Sequence, residues 1–160
     1  SLIFYEFNQN DSSNVNLTAL QANNVQLRNE FYFNLASHCS TKISGTNFCN
    51  LGVNDNYSFI QHNKPDSSSR EVFKSIVDHG AITNFQGKIY VDKIAQKTDG
   101  YQMSRSLLYR NSKILLAGLI SSVSHTQEAL GHLLYQNGER DGRVIPMVTL
   151  MFRIYYLRIR

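Results

Sequence analysis

Residues 85–108 read FQGKIYVDKIAQKTDGYQMSRSLL, two extended runs on either side of a polar corner. The first run lies in a candidate strand over Ile82 to Val91 and the second forms a candidate strand over Gln102 to Leu108. Between them, Lys97-Thr98-Asp99-Gly100 has the composition of a turn, in which Asp bonds its own backbone and Gly supplies positive φ. Asn-Gly, the signal of a tight two-residue hairpin, is missing here and between the other candidate strands before residue 109. The runs therefore need not be antiparallel neighbours.

The same pattern extends towards the N-terminal side. Candidate strands are Asn14 to Leu20, Val25 to Ala36, Thr41 to Leu51, Tyr57 to His62 and Val72 to Val77. Phe31, Phe33 and Leu35 fall on one face of their strand, with Tyr32, Asn34 and Ala36 on the other. Asn, Ser and Gln are interleaved throughout with Val, Ile, Phe and Tyr. Asn and Ser compete with the backbone inside helices, whereas β-branched and aromatic residues suit a pleated surface. Short strands at this spacing leave an antiparallel sandwich or a right-handed parallel β-helix, in which polar side chains can stack in ladders. The missing hairpin signals favour the solenoid, although no fixed period of repeated sequence is visible.

Composition sets the outer bounds. The chain has 160 residues and a mass of 18.3 kDa, 42% hydrophobic and 18% charged, enough for one core without metal or disulfide staples. Cys39 and Cys49 are too few for a disulfide framework, and their spacing is not that of a zinc knuckle, so a reducing compartment is expected. The net charge of +4 is concentrated at the end: Arg140, Arg143, Arg153, Arg158 and Arg160 stand against Glu139 and Asp141. No basic stretch followed by an apolar run opens the sequence, so no signal peptide is expected. The apolar run Ile114 to Ile120 is far shorter than the roughly 20 residues of a membrane helix. A soluble protein is expected.

The character of the sequence changes near Tyr109. Ser124 precedes Gln127 in a capping-box arrangement, and Ala129, Leu130, Leu133 and Leu134 recur on one face up to Asn137-Gly138, which predicts a helix over 125–136. Beyond Arg143 the segment is apolar but broken by Pro146 and Arg153, and reads as strand or irregular chain.

Several constellations carry possible chemistry. His38, Cys39 and Cys49 with His62 or His79 offer imidazole and thiolate ligands for iron or zinc, against a plainer reading as isolated residues on different strands. A Cys–His nucleophile pair would need a third, orienting group. Asp92 and Asp99 on neighbouring coils would supply the acid and base of a glycan-cleaving β-helix, although Asp99 also fits the turn. Gly87 and Gly100 belong to no phosphate-cradling motif, so ATP binding by this chain is not expected. Tyr155 and Tyr156 among Arg153, Arg158 and Arg160 suggest base stacking with phosphate contacts, or simply an edge strand with solvated charges.

The 85–108 segment also resembles a stretch of the SufB/SufD family of iron–sulfur cluster assembly proteins. The resemblance rests on Phe85-x-Gly87-x-Ile89-x-Val91, then Ala95-Gln96-Lys97-Thr98-Asp99-Gly100-Tyr101-Gln102, then Leu107-Leu108. Upstream, His62-x-x-Pro65, Ser67 to Ser69, Phe73-Lys74 and Asp78 also fit, and fit SufD better than SufB. The family signature on this chain is therefore His62, Pro65, Phe85, Gly87, Ala95, Gln96, Thr98, Asp99 and Gln102. The resemblance covers 62–108 and implies a right-handed β-helix core acting as a non-catalytic scaffold, in agreement with the solenoid that the strand spacing places over 1–108. It implies pairing with a SufB-like protein and a SufC-like ATPase that hydrolyses the nucleotide, with an iron–sulfur cluster handled by the complex and not by this chain alone. It also implies the bacterial cytoplasm or an organellar stroma or matrix, without nucleic-acid or membrane partners.

The chain departs from the family pattern after Leu108. The Lys-Pro-x-Leu-Glu-Ile segment and the aspartate pair are missing, and Ser124-His125 is the nearest match to a Cys-Ser-His-Gly stretch, leaving His125 as the one candidate ligand there. Ile154 to Arg160 faintly resembles a later Phe-Tyr-Leu-x-Ser-Arg-Gly motif. Residues 109–160 are thus either a reading-frame-altered continuation or a divergent cap. An incomplete solenoid leaves exposed ends, so self-association is expected.

Overall fold

The computed structural model describes residues 1–23, 26–122, 128–140 and 143–156. Eleven strands are described: β1 Leu2–Asn8, β2 Asn14–Asn23, β3 Leu27–Leu35, β4 Ser40–Cys49, β5 Val53–His62, β6 Ser68–Val77, β7 Ile82–Val91, β8 Thr98–Leu108, β9 Lys113–Ser122, β10 Glu128–Arg140 and β11 Arg143–Tyr156. Odd strands stack in parallel as β1-β3-β5-β7-β9, and even strands stack in parallel as β2-β4-β6-β8 on the opposite side. Each coil thus contributes one strand to each sheet, giving a parallel β-solenoid of about four turns. All seven strands expected from the sequence are present. The Ile82–Val91 strand has the bounds read from its alternation, whereas β6 begins earlier than expected, at Ser68, bringing Glu71 into the sheet.

The coil circumference is not constant. Leu2 lies opposite Arg28, an interval of 26 residues (28 − 2), whereas Ile82 lies opposite Lys113, an interval of 31 (113 − 82). This drift explains why no fixed repeat is visible in the sequence. The strands β4, β5, β6 and β7 each keep 10 residues, so the growth is taken up at the corners.

One corner is built the same way in every coil. Ser12, His38, Asp66 and Lys97 all have left-handed backbone, with φ of 62°, 56°, 60° and 57°. They stack through backbone bonds: Ser12 N donates to Ser37 O, His38 N to Pro65 O and Asp66 N to Gln96 O, at 2.8, 3.2 and 2.9 Å. Polar side chains with short local bonds tolerate this conformation best, and Asp and His are among them. The expected turn at residues 97–100 is therefore displaced. Lys97 supplies the positive φ, and Asp99 and Gly100 already belong to β8.

Inward residues alternate with outward ones along β3 to β8, the in/out pattern of a pleated strand closed over a lumen. Phe7 stacks on Phe33 at 4.7 Å between ring centroids, and Tyr5 stacks on Phe31 at 5.1 Å. Phe31, Phe73 and Phe85 continue the aromatic packing, with Leu35, Ile43, Ile60, Ile89 and Val91 completing the main core. A separate polar ladder runs along the same interior. Asn56 Oδ1 accepts from Gln21 Nε2 (3.0 Å) and Asn29 Nδ2 (3.2 Å), Asn56 Nδ2 donates to Asn54 Oδ1 (2.8 Å), and Asn54 Nδ2 donates to Asn47 Oδ1 (2.8 Å). Each buried amide is thereby satisfied by another, which is what permits so many Asn side chains inside.

The C-terminal part corrects the sequence reading. Glu128–Arg140 is strand β10 and not a helix; positions 125–127 of the expected helix, with the candidate ligand His125, lie outside the described residues. The 3.6-residue apolar pattern was overridden by pairing: β10 pairs antiparallel with β11, and β11 pairs antiparallel with β8. Parallel stacking extends past residue 108 through β9, and the hairpin then follows β8 at the edge of the even sheet, in the order β10-β11-β8-β6-β4-β2. At the opposite end β1 is an edge strand, with Leu2, Ile3, Phe4 and Tyr5 all exposed.

Candidate functional site

The signature residues gather around one corner and the late-coil lumen. His62 ends β5 fully buried, and its two ring nitrogens bond Ser67 Oγ (2.7 Å) and Ser69 Oγ (2.9 Å). Ser67 Oγ also donates to Lys64 O at 3.3 Å, tying the Lys64-Pro65-Asp66 bend to the histidine. Burial holds the His62 pKa down to about 4, with Asp99 opposing the shift, so the imidazole is neutral at physiological pH. Ala95 is buried, its carbonyl accepts from Thr98 Oγ1 at 2.8 Å, and Gln96 O caps Asp66 N. Pro65, Ala95, Gln96 and Thr98 therefore build the corner, and Phe85 packs in the core.

Gly87 and Gln102 belong to the second cluster. Gln102 reaches across the lumen so closely that a Cβ on Gly87 would lie 1.9 Å from Gln102 Nε2. Only glycine leaves this passage open. Gln102 Nε2 donates to Glu71 Oε2 at 2.5 Å, and Ser58 Oγ donates to the same oxygen at 2.8 Å. Glu71 is fully buried, and desolvation pushes its pKa up to about 7 despite those two bonds, which favour the carboxylate. Among the described residues, Glu71 Oε1 and Gln102 Oε1 lack hydrogen-bond partners, as does Ser106 Oγ. A proton on Glu71 would convert one of two orphaned acceptors into a donor, letting acid and amide pair through two bonds. Sequence reasoning missed Glu71 and Ser58. The signal was available in the strict alternation of Ser69, Glu71, Phe73 and Ser75 once the strand is started at Ser68.

The remaining candidates are placed separately. Cys39 Sγ donates to Asn10 O at 3.1 Å just before β4, while Cys49 ends that strand beside Val77 and Ala81. Ten residues of strand put them on the order of 30 Å apart. His79 Nδ1 contacts Asn50 Oδ1 at another corner, and His62 is taken up by its serines. The structure does not bring His38, Cys39, Cys49, His62 and His79 together, and among the described residues no three metal-ligating side chains cluster. Asp92 is a turn former whose Oδ1 accepts from Ile94 N at 3.2 Å. Asp99 points outward and holds Arg153 through bonds of 3.1 and 3.3 Å. The shallow groove of about 340 Å³ that Asp99 lines does not include Asp92, so the two carboxylates do not share a cleft. Of the basic tail, Arg153 is committed to Asp99, and Arg158 and Arg160 lie outside the described residues.

The geometry is that of a sealed interior and shaped corners. Glu71, Gln102 and His62 are each no more than 1% exposed, so their chemistry is internal: fixing the lumen and holding protons within it. A family model described as "SUF system FeS cluster assembly, SufBD core domain" matches residues 5–113. The chain belongs to this family. The SufBD core match begins in β1 and ends at the start of β9, covering the parallel stack through β8, and both clusters just described lie inside it. Membership assigns the chain to iron–sulfur cluster assembly by the SUF system. No curated protein and no solved structure matches the chain. No described helix is long and apolar enough to cross a membrane.

Proposed function

We propose that this chain is a SufD-like scaffold in iron–sulfur cluster assembly, pairing with a SufB-like subunit and working with a SufC-like ATPase. The observation that carries the reading is the SufBD core match over 5–113, which coincides with a continuous parallel solenoid. The signature side chains support a scaffolding role, because most of them build a corner and a buried lumen, and Asp99, the one that lines the shallow outer groove, is paired with Arg153. In this reading the cluster is cargo handled by the complex, no reaction is catalysed by the chain itself, and the compartment is the bacterial cytoplasm or an organellar stroma or matrix. The glycan-cleaving alternative gains nothing from the separate placement of Asp92 and Asp99.

Co-expression with tagged SufB-like and SufC-like proteins tests this. A stoichiometric complex that survives size-exclusion chromatography is the expected result. A folded chain that elutes apart from both partners would overturn the assignment. The exposed apolar edge at β1 adds an expectation for the chain alone: concentration-dependent self-association, checked by light scattering.

A further inference from the structure

The outer face of the even sheet carries three parallel rungs of side chains. Register places Lys42, Arg70, Tyr101 and Arg153 side by side on β4, β6, β8 and β11. Two residues further along, the rung is Ser44, Val72, Met103 and Met151, and two beyond that it is Thr46, Lys74 and Arg105, exposed, with Thr149 buried at its end. Two basic rungs, roughly 13 Å apart by strand rise, thus flank an apolar one. Lys42 and Arg70 are direct neighbours, as are Lys74 and Arg105, and like charges in that position destabilise a sheet. Lys42, Lys74 and Arg105 form no ion pair among the described residues, and Asp99 is the one acid on these strands facing outward, held by Arg153.

We propose that this face docks an amphipathic helix from a protein partner, with its apolar stripe on Val72, Met103 and Met151 and its Asp or Glu side chains on the two basic rungs. A helix is about 10 Å across, which fits between rungs about 13 Å apart. The row from β4 to β11 covers about 15 Å, or about ten helical residues. Carboxylates on both flanks would relieve the paired repulsions, and the apolar rung gives the helix stripe a surface to bury. Nucleic acid fits less well. It would leave the apolar rung without a partner, and the ring of Tyr101 is already covered by the Arg70 guanidinium at 4.6 Å, so it offers no free stacking platform.

Fluorescence anisotropy with the full chain tests the proposal, using a synthetic helical peptide with a Leu stripe flanked by Glu. Poly-glutamate and a single-stranded oligonucleotide of equal charge serve as comparisons. The peptide is expected to bind at least about tenfold more tightly than either. The double variant K42E/R70E is expected to weaken it by about tenfold or more, and M103Q by several-fold, with circular dichroism unchanged because these side chains point outward. Equal binding of all three probes would reduce the face to a general polyanion patch, and tighter oligonucleotide binding would make it a nucleic-acid surface. Either result would overturn the proposal, as would an unaltered affinity in K42E/R70E or no peptide binding up to millimolar concentration.

Discussion

The early and late coils fill the same columns of the lumen with opposite chemistry. One inward column runs Tyr5, Phe31, Ser58, Gly87, and the column across from it runs Leu17, Ile43, Glu71, Gln102. In the first two coils, rings and aliphatic chains meet; in the next two, a carboxyl, an amide and a hydroxyl meet over a glycine. The backbone hydrogen bonding is the same throughout. A parallel solenoid therefore does not require an oily interior: it requires that each inward side chain find a partner on its own or a neighbouring coil.

Substitutions should separate the two regimes. The largest loss is expected in the aromatic half. Phe33→Ala removes a fully buried ring stacked on Phe7 and should cost about 3–5 kcal/mol in urea unfolding. A loss below about 1 kcal/mol would mean that the early coils do not depend on their stacked rings.

The polar half should reveal itself through pH. Glu71 keeps its proton up to about 7 in the folded state, whereas the unfolded chain releases it near 4.5, so this group weakens folding as pH rises from 4.5 to 7. His62 stays neutral down to about 4, whereas the unfolded chain protonates near 6.5, so it weakens folding as pH falls from 6.5 to 4. Where the windows overlap the two slopes cancel, and folding neutralises both groups without net proton uptake. Glu71→Gln should expose the histidine slope, with stability rising towards pH 6.5. His62→Gln should expose the opposite one. Each swing should be on the order of 3 kcal/mol, and parallel pH profiles in the two variants would rule out this linkage.

Next in size is Gly87→Ala, whose Cβ would displace Gln102 and should cost about 1–3 kcal/mol. Adding Gln102→Ala to it should cost less than the sum of the two single changes, which a double-mutant cycle would read directly. The smallest effect is expected at Asp99→Asn. It loosens an exposed pair with Arg153 and should barely move the melting temperature at moderate salt.

Much of the stack was legible because its signals are local. The alternation of Phe31, Phe33 and Leu35 and the absence of Asn-Gly before residue 109 needed no knowledge of distant contacts. The candidate site was less legible, because its meaning depends on register: nothing local says that Gln102 crosses to Glu71, or that Gly87 is small for the sake of Gln102. The sequence reading also failed where a local pattern met a stronger long-range partner. Ala129, Leu130, Leu133 and Leu134 look helical in isolation, yet the chain is extended there and paired along β11. Asp99-Gly100 looks like a turn, but the bend is made by Lys97.

The stacked left-handed corners have a consequence for how such a chain can change length. Because circumference grows at the bends while the straight runs stay at 10 residues, spare residues are absorbed where side-chain parity does not matter. One residue added between Gln96 and Lys97 should be tolerated, whereas one added at Ser75 would turn Ile76 inward and Val77 out to water. Length variation is thereby channelled to the seams of the winding, and relatives of unequal coil size can still lay their turns one on another.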